Sequence, residues 1–431
     1  MSQSSAHRNS PTEHTQIAAV EVFYGWKLVG LSLLTQALQA GLLIYCFGTI
    51  AVSIEAEFGT SRAEVMVASM ILSLAGNALS PLLGSLVDRK SIRMLMLLAI
   101  TALALGLIAL SQSDALWQVW LVFGTLLPVA NVLLGQLTSS ALMTRWFSRL
   151  RGRAMGISAV GTSLGGFTLP VLLTFLIQLY DWRAALLLIG IGAFVLTAPL
   201  IYWLVVDWPA DRGEFPDGAV QAPPKPAGQE QAKESMAGII RQRAFWCETV
   251  AIGISLFVYL GFLSNLYPHA VSLGLSPGKA ASLMSVVAVF SIIGKLSFGT
   301  LADRMDLRLT MGSSFTLMIA GAWILSHFTQ AAGMFAGAML FGLAAGGLLP
   351  VWGAMVARSF GQALFGRALG AMNLAMAPIT LLSAPYAGFM FDRYGNYDVA
   401  FLSYCGILLI GAVALTLLRF PALDTPAEAT A

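Results

Sequence analysis

Apolar residues along this chain come in long, nearly unbroken runs, with polar residues gathered in short gaps between them. Runs of about 20 residues suffice to cross a ~30 Å hydrocarbon core. They recur at 26–54, 62–87, 92–111, 115–144, 152–178, 182–206, 244–269, 278–302, 308–327, 331–357, 364–391 and 397–419, predicting twelve membrane-spanning helices. The one long polar segment, 208–243, is rich in Pro, Gly, Gln and Glu, a composition that buries too little apolar surface to fold alone. The pattern divides the chain into a polar tail (1–25), a six-helix bundle (26–207), a linker (208–243), a second six-helix bundle (244–420) and a short tail (421–431). The expected fold class is an all-α membrane protein built of two six-helix bundles.

Composition supports this reading, because only 10% of the 431 residues are charged and mean hydropathy is +0.78, against about 25% charged in an average soluble domain. The first 20 residues hold no apolar core with a cleavage site, so the first span is expected to direct insertion itself, leaving the N-terminus inside. The positive-inside rule agrees: the tail and loops on that side hold 19 of the 24 Lys and Arg, while the outer loops hold only Arg62, Arg183, Lys279 and Arg393. Both termini are therefore expected in the cytoplasm, and the brief tails suggest a bacterial inner membrane. The net charge of +3 mostly reflects this asymmetry and gives no reason to expect a nucleic-acid partner. Cys46, Cys247 and Cys405 fall within or at the ends of spans, an odd number that argues for packing rather than a disulfide framework. No metal cluster, nucleophile constellation or phosphate loop is recognisable, so neither an enzyme nor a cofactor is expected.

The two halves repeat one another. GSLVDRKSIR, from Gly84 to Arg93, returns 215 residues later as GTLADRMDLR, from Gly299 to Arg308. A second pair follows spans four and ten, RWFSRLRGRAMG from Arg145 and RSFGQALFGRALG from Arg358. In the first motif, glycine lets helices approach closely and the aspartate is placed to face a neighbouring helix N-terminus, with arginines as charge-assisted partners. Asp88, Arg89, Arg93, Asp303, Arg304 and Arg308 are thus candidate residues of a cytoplasmic gate. The alternative, that they only stop helices and set topology, is weakened by the two copies standing in register.

One basic residue lies in neither set of loops. Lys295 precedes Asp303 by eight residues, about 12 Å along a helix and close to mid-membrane. A charge at that depth costs at least a few kcal/mol and commonly marks a substrate or ion path, although a lysine also reaches an interface by snorkelling. The matching position of the first half is Ser80, so a packing role shared by both halves does not require the charge. Helical periodicity puts Ser255, Tyr259, Phe262, Leu266 and His269 on one face of span seven, an expected aromatic wall. His269 is a candidate proton relay or an interfacial histidine after Pro268. Asn131 in span four and Gln36 in span one need partners, from a substrate or from a neighbouring helix. Glu248 is the acid nearest the membrane interior, or else an interfacial carboxylate near Arg243. Gly161, Gly165 and Gly166 are expected only to permit close helix contact.

Twelve spans, a six-plus-six repeat and GxxxDRxxxR after spans two and eight resemble the major facilitator superfamily over residues 24–420. FYGWKLV from Phe23, RWFSRLRGRAMGI from Arg145 and NLYPHAVSLGLS from Asn265 further resemble bacterial monocarboxylate transporters and oxalate/formate exchangers. The resemblance implies two helical bundles rocking about a central site near the midplane. It also implies a substrate-binding cation in span eight, four residues before the motif glycine, which here is Lys295. The family usually has arginine there, so a bidentate fork gives way to a point charge. The exchangers' second cation in span eleven has no deep counterpart, since only Arg367 lies near the start of that span; one cation favours a monocarboxylate. The acid that animal monocarboxylate transporters place one turn before the cation is here Ser291, and their span-one lysine aligns near Gly48, which leaves proton coupling open beside exchange and uniport. By the same resemblance Trp352 is a lining candidate or a packing ring. The expected substrate-binding set is Lys295, Ser291, Tyr259, Trp352, Asn131 and Gln36. The expectation is a monomeric secondary transporter in the lipid bilayer, moving a small organic anion, with protons as a candidate co-substrate. An exporter of a larger amphipathic anion, an oxalate/formate-type exchanger and a transporter-like sensor are the alternatives.

Overall fold

The computed structural model of the protein describes residues 23–219 and 236–420; most of the N-terminal tail, the middle of the linker and the C-terminal tail lie outside the described residues. Membrane-length helices fill the described chain. In the first half these are α1 (Gly25–Phe58), α2 (Arg62–Arg89), α3 (Ile92–Ser111), α4 (Leu116–Trp146), α5 (Arg151–Leu179) and α6 (Trp182–Leu204). The second half has α7 (Arg243–Ser272), α8 (Pro277–Ala302) and α9 (Leu307–His327), then one helical stretch from Ala331 to Tyr394, and α12 (Asp398–Thr416). At 64 residues, that stretch is about 96 Å long, roughly three times the hydrocarbon thickness. It breaks at Gly361, whose φ of 68° and ψ of −176° are left-handed backbone open to glycine. The break divides it into α10 (331–360) and α11 (362–394), giving the twelve expected spans. The helices begin and end close to the expected boundaries and overrun several of them, because a helix continues past the hydrocarbon into the polar interface.

Local departures from regular helix have identifiable causes. α1 contains a π-helical turn, Gly41–Tyr45, where Gly41 lies against the backbone of Gly165 and the side chain of Leu169 on α5. α4 is interrupted at Thr125 and again at Gly135. A side chain at Gly135 would meet Gln39 of α1 and the carbonyl of Asn131. Gly161 and Gly165 of α5 approach the α1 backbone at Leu33 and Ala37 so closely that a Cβ would not fit, the close contact expected of small residues in lipid, where packing rather than water drives association.

The linker is more ordered at its start than its composition suggests. Residues 209–218 form two short 3-10 turns, and Asp217, at a positive φ of 60°, accepts the backbone amides of Ser148, Arg149 and Leu150 at 3.0, 2.7 and 3.2 Å. Three otherwise unpaired amides hold this turn in place, which composition alone did not reveal. Cys46, Cys247 and Cys405 are free thiols, the first two buried.

Candidate functional site

The two halves meet along two helix pairs, α2 with α11 and α5 with α8, and both meetings are built alike. At the face of the molecule bearing the linker, Asp88 on α2 accepts the backbone amides of Gly366 and Arg367 at 2.7 and 3.0 Å, and the Arg367 guanidinium at 3.2 Å. On the other side Asp303, following α8, accepts the amides of Gly152 and Arg153 at the start of α5, at 2.5 and 2.8 Å. A carboxylate on the unpaired amides and positive dipole end of a helix is a favourable pairing. Burial raises the Asp303 carboxyl above its ordinary range, opposed by the Arg153 and Gly152 amides. Next to each aspartate the backbones touch: Gly84 against Gly366, and Gly152 and Gly156 against Gly299 and the Lys295 carbonyl.

The arginines of the same motif do other things. Arg93 donates to the Val205 carbonyl at the end of α6 at 2.5 Å, while Arg308 reaches the Leu418 carbonyl at 3.4 Å and pairs with Asp306 at 3.1 Å. Each thus clips its own half together rather than bridging the two. Arg89 and Arg304 are exposed. Arg145 donates to the Val87 carbonyl and lies over the Trp208 ring, and Arg358 lies over Phe420, so both copies of the second motif put a guanidinium on an aromatic ring just past the last helix of their half.

Eight residues deeper than each aspartate, a side chain crosses the junction. On one side Asn373 donates to Ser80 at 3.2 Å. On the other, the Lys295 ammonium donates to Thr162 at 2.7 Å and to Ser163 at 2.5 Å, both on α5. Lys295 is only 5% exposed, so it remains inside the junction, its charge facing hydroxyls of the opposite half. Among the described residues no carboxylate pairs with it. Arg367, by contrast, is held at Asp88.

The other expected residues scatter. Ser291 is buried one turn before Lys295, its carbonyl beside Gly346. The Trp352 indole is buried, with no acceptor for its N–H among the described residues; the adjoining Gly353 faces Ser140 and Met155 of the first half. Gln36 donates to Ser158 at 3.2 Å, and Asn131 accepts from Gln39 at 2.6 Å, so neighbouring helices supply both amides with partners. Tyr259 is half-buried on α7. The rest of that face is interior packing: Ser255 bonds back to its own helix, and Phe262 stacks on Phe341 of α10 at 3.5 Å. His269 is likewise interior, 1% exposed, its Nε2 3.2 Å from the Leu325 carbonyl and its ring against Phe401 and Tyr397. Glu248 is fully buried and accepts from Ser359 of α10 at 2.5 Å. Thr162, Ser163 and Asn373 were missed in sequence because hydroxyls and amides are common in spans, and only the pairing of α5 with α8 and α2 with α11 singles them out.

Comparison with known proteins places this architecture. The model of the Major Facilitator Superfamily matches residues 33–329 and 266–431. Monocarboxylate transporter 13 of Bos taurus is 28% identical over 94% of this chain and 91% of its own, and monocarboxylate transporter 12 of Rattus norvegicus is 28% identical over 90% and 83%. Agnestins efflux protein AgnL12 of Paecilomyces divaricatus is 27% identical over 78% of this chain and 73% of its own. Among solved structures, the human organic anion transporter MFSD10 superposes with a TM-score of 0.65 at 16% identity, covering 91% of this chain and 98% of that one. FucP in the outward conformation gives 0.67 at 12% identity, over 92% and 100%. With two six-helix halves joined by paired Asp-to-helix contacts, and with homology along nearly its whole length to monocarboxylate transporters, the chain belongs to the Major Facilitator Superfamily.

Proposed function

We propose that the protein is a secondary active transporter that moves a small monocarboxylate across the membrane by alternating access, with Lys295 neutralising the substrate's carboxylate. The observation that carries this is the buried ammonium of Lys295, placed where the halves meet and matched by hydroxyls rather than by an acid. A charge so placed is costly, and an incoming anion offsets that cost. The names of the relatives, monocarboxylate transporters 13 and 12, support the substrate class. With Arg367 engaged at Asp88, the single ammonium of Lys295 at this site favours one carboxylate over a dicarboxylate.

In this reading the linker face is cytoplasmic, in keeping with the distribution of Lys and Arg, and the contacts of Asp88 and Asp303 hold it closed. Opening that face takes both aspartates off their helix ends while Arg93 and Arg308 keep each half intact. Ser291 stands where related transporters have an acid, so coupling by a carboxyl beside the cation has no residue here. Counterflow of labelled lactate or pyruvate into proteoliposomes tests the proposal: accumulation is expected with the wild type and not with Lys295→Ala. Equal accumulation by both proteins would remove the main support for a carboxylate. Export of a larger amphipathic anion is then the reading favoured by the similarity to an agnestins efflux protein.

A further inference from the structure

The hydroxyls holding Lys295 are not equivalent. Thr162 accepts from the ammonium and donates its own proton to the Ala159 carbonyl at 2.9 Å, so its hydroxyl has no proton left to donate. Ser163 accepts from the same ammonium, but among the described residues its hydroxyl proton has no acceptor. The ammonium carries three protons, two of which go to these oxygens. An unused N–H and an unused O–H therefore lie within one hydrogen bond of each other. Donation by the ammonium also polarises the Ser163 hydroxyl and strengthens it as a donor.

We propose that Lys295 and Ser163 form a two-pronged carboxylate clamp, one prong from each half, in which the ammonium and the serine hydroxyl each donate to one oxygen of the same carboxylate. This rests on the transport of a monocarboxylate argued above. A lone lysine is a point charge, whereas an arginine presents a planar fork that meets both carboxylate oxygens. The serine supplies the second prong that lysine lacks, and Thr162 is a positioning residue that aims the ammonium. Because the prongs belong to different halves, a bound carboxylate ties α5 to α8 at mid-membrane, which links occupancy to the docking of the halves.

Equilibrium dialysis of the purified full-length protein with labelled pyruvate and labelled benzoate tests the clamp, using wild type, Ser163→Ala, Lys295→Arg and the Ser163→Ala, Lys295→Arg double variant, with thermal melting to verify folding. Ser163→Ala is expected to weaken binding by roughly tenfold to a hundredfold, the effect of one charge-assisted hydrogen bond. Lys295→Arg in the same background is expected to recover most of the loss, since arginine brings its own second prong. If Ser163→Ala binds as the wild type does, the clamp is wrong and the carboxylate reading stands. A loss that arginine does not repair means that the hydroxyl acts through packing alone, and overturns the clamp. If the wild type retains neither acid, the carboxylate reading fails and the clamp goes with it.

Discussion

The Lys295 ammonium has the hydroxyls of Thr162 and Ser163 as acceptors but, among the described residues, no carboxylate to offset its burial. A buried charge bears a desolvation penalty of several kcal/mol that hydroxyls repay only in part. Lys295→Met is therefore expected to raise the melting temperature by a few degrees, about 1 kcal/mol of stability, while abolishing carboxylate counterflow. A fall in melting temperature would mean that the ammonium stabilises the fold rather than awaiting a ligand. His269 has the opposite profile. Its ring fills the space between α7, α9 and the Phe401 ring of α12, with one hydrogen bond to Leu325, so His269→Leu should cost roughly 1 kcal/mol in thermal melts and leave uptake and its pH dependence near wild type. Loss of the pH dependence would instead identify a proton relay.

At the scale of helices, docking depends on glycine backbones as much as on the aspartates. A Cβ on Gly156 would meet the Lys295 carbonyl and the Gly299 Cα, and no rotamer change relieves a clash with backbone. Gly156→Leu should force the linker-face ends of α5 and α8 apart, which spin labels on Arg153 and Arg304 would report as a longer distance. Asp303→Asn keeps one of the two accepting oxygens, turns an NH2 against the other backbone amide and removes the charge on the α5 helix end; it should lengthen the same distance less, in keeping with the about 1–3 kcal/mol of one unpaired donor. If neither variant changes the distance, the α5 and α8 contact does not hold this face closed.

For the whole molecule, alternating access requires the α2 and α11 junction to part in every cycle. Ser80 and Asn373 face each other across it side chain to side chain, at 3.2 Å. A paired Ser80→Cys, Asn373→Cys variant, made in a background without Cys46, Cys247 and Cys405, should crosslink on oxidation, stop counterflow and recover on reduction. Transport that continues in the crosslinked protein would show that the halves need not separate at this junction.

Twelve spans, two halves and the paired motifs were legible in the chain because each is a one-dimensional signal: apolar runs as long as the bilayer is thick, and a repeat at constant offset. The isolated charge of Lys295 was legible for the same reason, since a charge inside an apolar run needs no partner to be noticed. Partner choice lay beyond that reach. Whether Gln36 and Asn131 face a substrate or Ser158 and Gln39, whether Arg93 bridges the halves or clips one of them, and whether Phe262 lines a cavity or stacks on Phe341 depend on which helices become neighbours. Helical periodicity assigns a residue to a face but does not say what that face meets. The sequence by itself thus determined the spans, the repeat and the one deep charge. Only the tertiary structure, by setting α5 against α8, decided that this charge meets Thr162 and Ser163 of the other half, because that contact joins residues more than a hundred positions apart whose types alone carry no sign of it.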